Sequence, residues 1–122
     1  MIVVTEIPKQ WRADVCEILD LHQDCVSVSQ RAYEEWDALF PDSSIGGVCY
    51  QMFARMSEAL KVDGITGIRI PRIGKDTGEI WEFLFSVDDK NLYGKISLRL
   101  VNKNGRKMVF IYSAHTEERP YL

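Results

Sequence analysis

Residues 79–115, EIWEFLFSVDDKNLYGKISLRLVNKNGRKMVFIYSAH, decide the fold. Three runs rich in β-branched and aromatic residues are separated by turn chemistry, DDKN at 88–91 and Asn104-Gly105, which reads as an antiparallel meander. Asn-Gly is the strongest local signal, because a two-residue type I′ turn needs positive φ at both central positions. Centring the last hairpin there pairs Val101 with Met108, Arg99 with Phe110, Ser97 with Tyr112 and Lys95 with Ala114. Closing the preceding turn over 88–91 puts Val87 opposite Leu92. Side chains alternate between faces along a strand, so one face collects Trp81, Phe83, Phe85, Ile96, Leu98, Leu100, Val109 and Ile111 and must be the core. The other face carries Glu82, Lys95, Ser97, Arg99, Phe110 and Tyr112. On this register His115 falls opposite Gly94, on the core side.

Upstream, MIVVTEI (1–7) is a short β-branched run. Trp11, Val15, Ile18 and Leu19 then follow at helical spacing, and together these segments read as an added β-α piece. CVSVS (25–29) reads as a strand, with Ser29 at the N-cap of a helix whose apolar stripe is Ala32, Tyr33, Trp36, Leu39 and Phe40. Pro41 stops it. PDSSIGG (41–47) is turn chemistry, and Val48, Cys49, Met52, Phe53, Met56, Ala59 and Leu60 mark another helix, whose stripe is assigned to the core. IRIPRI (68–73) is a further extended run. The expected fold is one α+β domain over 1–122. Two N-terminal helices pack on one face of a C-terminal antiparallel sheet, with residues 1–24 as an N-terminal β-α extension.

The 122 residues suit a single core, and the formal charge of −3 counts against coating nucleic acid by bulk positive charge. The charge is uneven. Residues 1–60 hold 4 Lys+Arg against 10 Asp+Glu, and residues 61–122 hold 11 against 8, so the basic groups gather in the sheet half. Cys16, Cys25 and Cys49 are odd in number without a C-x-x-C pair, which argues for reduced thiols. His22 and Cys25 lack the second closely spaced pair that would complete a metal site. No apolar run reaches the about 18–20 residues of a membrane span, and the opening is too short for a signal peptide. These features predict a cytoplasmic protein with no membrane association, no metal and no cofactor.

The second sheet face has two readings. As a functional surface, cations neutralise phosphate, aromatic rings stack on unpaired bases and Glu82 can accept a proton. As an ordinary solvated face, Glu82 pairs across strands with Lys95 or Arg99.

The order strand, two helices and antiparallel meander, closed by His115, Glu118 and Tyr121 in AHTEERPYL (114–122), resembles the RelE/ParE superfamily of bacterial toxins. EIWEFLFS, LYGKISLRL and KMVFIYSAH look most like its HigB branch. The chain departs from that pattern at Phe83 and Leu84, where the branch has an arginine, and at TEE, where it has a basic pair. The resemblance covers about residues 25–122 and implies a metal-independent, ribosome-dependent messenger-RNA endonuclease neutralised by a cognate antitoxin. It implies roles too: His115 transferring a proton, Tyr121 stacking on a base or assisting that transfer, and Lys95, Arg99 and Arg119 holding phosphate. Glu82 is a base if His115 is the acid, and Phe110 and Tyr112 contact substrate. Two alternatives stay open: a ParE-like poison that binds gyrase and cleaves nothing, and an acidic non-catalytic binding protein such as an antitoxin, immunity protein or phage inhibitor.

Overall fold

The computed structural model describes residues 3–41, 50–100 and 105–116. Among them the chain forms β1 (Val4–Glu6), α1 (Lys9–Leu21), β2 (Val26–Val28), α2 (Gln30–Leu39), α3 (Tyr50–Leu60), β3 (Thr66–Ile70), β4 (Glu79–Val87), β5 (Lys90–Leu100) and β6 (Lys107–Thr116). The six strands make one sheet in the order β1-β3-β4-β5-β6-β2. Every pairing is antiparallel except that of β2 with β6. The fold is therefore α+β with a mostly antiparallel sheet, and the central β4-β5-β6 meander is the one legible in residues 79–115.

The core face carries Trp81, Phe83, Phe85 and Val87 from β4, Leu92 and Ile96 from β5, and Val109 and Ile111 from β6. Helix stripes close over it: Trp11, Val15, Ile18 and Leu19 from α1, Ala32 and Trp36 from α2, and Met52, Phe53, Met56 and Leu60 from α3. Gly94 lies where they pack closely: a Cβ there would sit 3.2 Å from Met56 Cε and 3.2 Å from Phe83 Cζ, and those side-chain ends would have to give way. Leu100, expected in the core, is 69% exposed at the end of β5.

Residues 1–24 read in the sequence as an addition, and β1 and α1 prove to share the common sheet and core. β1 pairs with β3, and α1 lies beside α3. Arg12, buried within α1, donates from Nε to the Ile7 carbonyl at 3.2 Å and from Nη1 to the Leu60 and Val62 carbonyls at 3.0 and 3.2 Å. A cation is thus placed at the C-terminal end of α3, where free carbonyls and the helix dipole favour one.

Both hairpin registers differ from the sequence reading by two residues. Val87 pairs with Lys90, so that Phe85 faces Leu92, and Arg99 pairs with Met108 while Ser97 pairs with Phe110. The first turn is tighter than DDKN suggested, and Asp88 takes a φ of 55°, which its short polar side chain tolerates. In the second, Gly105 has a φ of 70°, while residues 101–104, including Val101 and Asn104, lie outside the described residues. A slip of two leaves every side chain on its expected face. Between Lys95 and Ile96 the register shifts once more, because Tyr112 is an extra residue in β6. That bulge corrects the expectation for His115, which faces Tyr93 instead of Gly94.

Candidate functional site

The second face is built by alternate residues of three strands. Glu82 of β4 lies directly opposite Lys95 of β5, which lies opposite Ser113 of β6. Beyond the bulge, one-residue displacement turns His115 onto this same face, beside Tyr93. The two rings lie 5.7 Å apart. His115 Nδ1 is 2.9 Å from the Thr116 carbonyl, which can only accept; in that contact Nδ1 carries the hydrogen and Nε2 is the nitrogen left for proton transfer.

The bulge is held from outside the sheet. Ser29 Oγ donates to the Tyr112 carbonyl at 2.8 Å and accepts the Ala32 amide at 3.0 Å, so one hydroxyl caps α2 and satisfies the carbonyl of the extra residue. The Ser29 amide adds a 2.9 Å bond to the Ile111 carbonyl, and Glu35 Oε1 accepts the Ala114 amide at 3.2 Å.

At the other end of the face Arg99, Phe110 and Tyr112 meet, as their alternation predicted. The Arg99 guanidinium lies over the Phe110 ring, 4.4 Å from its centroid, and 5.8 Å from that of Tyr112. Sequence reading missed their common partner, Asp76. Its Oδ2 accepts from Tyr112 Oη at 2.6 Å and from Arg99 Nη2 at 2.9 Å, while Oδ1 accepts the Gly78 amide at 2.8 Å. Burial by itself raises the Asp76 carboxyl, but the bonds from Tyr112, Gly78 and Arg99 outweigh it and hold the group at about 2. Burial and the Asp76 bond both push the Tyr112 phenol up, whereas for Arg99 burial lowers and the bonds to Asp76 and Tyr112 more than restore. Gly78 makes the approach possible, since a Cβ there would lie 2.6 Å from the Leu98 carbonyl. A signal existed in the Asp-Thr-Gly sequence of an Asx turn, but nothing in it reveals a partner 23 residues downstream.

The expected cations are therefore paired internally. Lys95 Nζ lies 3.7 Å from Glu82 Oε2, with the Glu82 side chain wholly buried and that of Lys95 22% exposed. The Arg99 side chain is 33% exposed against 2% for Asp76. Lys95, Arg99, Phe110, Tyr112 and His115 remain partly exposed, whereas Tyr93, Ser97, Ser113 and Ile80 between them are buried. A cleft of about 460 Å³, lined by Lys75, Asp76, Arg99 and Tyr112 among others, opens at the Arg99 end. Arg119 and Tyr121 lie outside the described residues.

A second cleft of about 390 Å³ on the helix side holds Cys25, whose sulfur accepts from Arg106 Nη2 and Nε at 2.8 and 3.2 Å. Among the described residues no three His, Cys, Asp or Glu side chains gather as a metal site, and no helix is long and apolar enough to cross a membrane. No family model matches the chain, and comparison with curated proteins and with solved structures gives no match either.

Proposed function

We propose that the protein is a toxin of a bacterial toxin-antitoxin system, with a RelE-like fold of the HigB kind, that cleaves messenger RNA at the ribosome and is held in check by a cognate antitoxin. The observation that carries this reading is the bulge at Tyr112, which brings His115 onto the face of Lys95, Arg99, Phe110 and Tyr112. In the reaction a ribose 2′-oxygen attacks the adjacent phosphorus, its proton passes to a base, and the departing 5′-oxygen takes a proton from an acid. His115 Nε2 serves as one of these groups; Glu82, wholly buried against Lys95, positions that ammonium and does not itself meet substrate. Lys95 offsets charge on the phosphoryl oxygens near His115, Arg99 at the other end of the face takes a neighbouring phosphate, Arg119 is a further candidate cation, and Phe110, Tyr112 and Tyr121 stack on bases.

A second reading is favoured by a specific observation. The ion pairs Lys95–Glu82 and Arg99–Asp76 leave this face with little net positive charge, which suits an acidic, non-catalytic binding protein.

Induced expression of the wild type and of His115→Ala, Lys95→Ala and Tyr121→Phe separates the readings. Growth arrest with fragmented messenger, lost in His115→Ala while the variant stays folded, is the expected outcome. Arrest with intact messenger points to a ParE-like target such as gyrase, and harmless expression points to the binding protein.

A further inference from the structure

Residues 71–78 connect β3 to β4 and lie over the Arg99 end of the second face. Among the described residues, the hydrogen bonds that tie this connection to β5 and β6 end on the Asp76 carboxylate. The others are local: Arg72 Nε to the Gly74 carbonyl at 2.9 Å and the Asp76 amide to the Ile73 carbonyl at 3.0 Å. Gly74, at a φ of 55°, and Pro71 bracket a turn that carries one anion to one guanidinium.

What Asp76 meets has the form of a phosphate subsite. Arg99 lies over an aromatic ring and points an N–H at an oxyanion, and a phenol donates to the same oxygen. Lys75 lines the same cleft with its side chain exposed, so an anion entering there would meet two cations and one hydroxyl. We propose that 71–78 is an autoinhibitory strap: the Asp76 carboxylate occupies Arg99 and Tyr112 in place of an RNA phosphate, and the phosphodiester engages Arg99 only by displacing it. This rests on the reading of the face as RNA-binding and concerns how that binding is restrained. Apparent affinity is then reduced by the fraction of molecules in which the strap is closed, and releasing the strap restores it.

The test is binding of a fluorescein-labelled single-stranded oligoribonucleotide, and separately of inorganic pyrophosphate, to the wild type, Asp76→Asn and Asp76→Asn/Arg99→Gln. Asp76→Asn is expected to tighten RNA binding by about tenfold, as for a strap open in roughly a tenth of molecules, and the double variant to lose that gain. If the wild type binds RNA through Arg99 but folded Asp76→Asn binds no better, the strap fails and the RNA reading stands. If Asp76→Asn gains only Arg99-dependent pyrophosphate binding, the strap stands as a gate on an anion site and the RNA reading fails. No gain for either probe overturns the strap. Should Asp76→Asn not fold, Gly74→Ala strains the turn at its φ of 55° and keeps Asp76, Arg99 and Tyr112; a smaller gain is expected, and unchanged affinity overturns the proposal.

Discussion

Asp76 carries a buried charge that would be costly alone, and it is stabilised because both oxygens are filled: Oδ2 by Tyr112 and Arg99, Oδ1 by the Gly78 amide. Its carboxyl is lowered from 3.8 to about 2 in the folded protein. A depressed folded value contributes stability that is full above the unfolded value and is lost as pH falls through the folded one. The window is therefore roughly pH 4 down to pH 2, and the contribution is roughly 2 kcal/mol at neutral pH. Urea unfolding of the wild type and Asp76→Asn at pH 6 and pH 2 checks this. The stability gap between them is expected to shrink by roughly 2 kcal/mol on acidification, other carboxylates cancelling in the comparison; a gap independent of pH would show that the charge at 76 adds nothing.

At the scale of elements, β6 does two jobs divided by one extra residue. Up to Ile111 it alternates as the sequence suggests, and after Tyr112 the alternation inverts, which moves His115 between faces. The strands themselves were legible because EIWEFLFSV and its neighbours alternate strongly. Both turn registers were misplaced by two, an error that period-two alternation hides: Lys95 replaces Ser97 opposite Glu82, and all three stay on one face. The bulge was not legible because its cause lies 83 residues away, in the Ser29 hydroxyl that caps α2 and holds the Tyr112 carbonyl. The Ser29 cap was readable from its position, its second bond was not. Ser29→Ala removes both bonds, and thermal or denaturant unfolding is expected to show a loss of about 1–2 kcal/mol. The proton NMR contacts between the His115 and Tyr93 rings should weaken as the bulge loosens. Retention of those contacts at full strength would show that Glu35 and the sheet hold the bulge without Ser29.

Across the whole molecule, the uneven charge between the acidic first half and the basic second half is partly met inside the fold. Asp14 pairs with Lys107 at 2.8 Å, Asp24 with Arg106 at 2.9 Å and Asp20 with Lys61 at 2.6 Å, each joining the acidic first half to the basic second half. Such exposed pairs contribute little energy, so they align the halves more than they hold them. What holds them is α1. Trp11, Val15, Ile18 and Leu19 are all buried, Trp11 Nε1 donates to the Glu79 carbonyl at 3.0 Å, and Arg12 closes the end of α3. At about 1.5–3 kcal/mol for each large apolar side chain, the four together contribute about 6–12 kcal/mol, comparable to the about 5–15 kcal/mol that keeps a whole domain folded. A chain shortened to residues 22–122 keeps every residue assigned to the second face. It also loses the Trp11 bond to the Glu79 carbonyl and removes β1 from the sheet edge. Loss of a cooperative thermal transition and of dispersed amide resonances is the expected outcome for that chain. A shortened chain that melts cooperatively near the full-length temperature would show that residues 22–122 fold alone and that α1 is an addition after all.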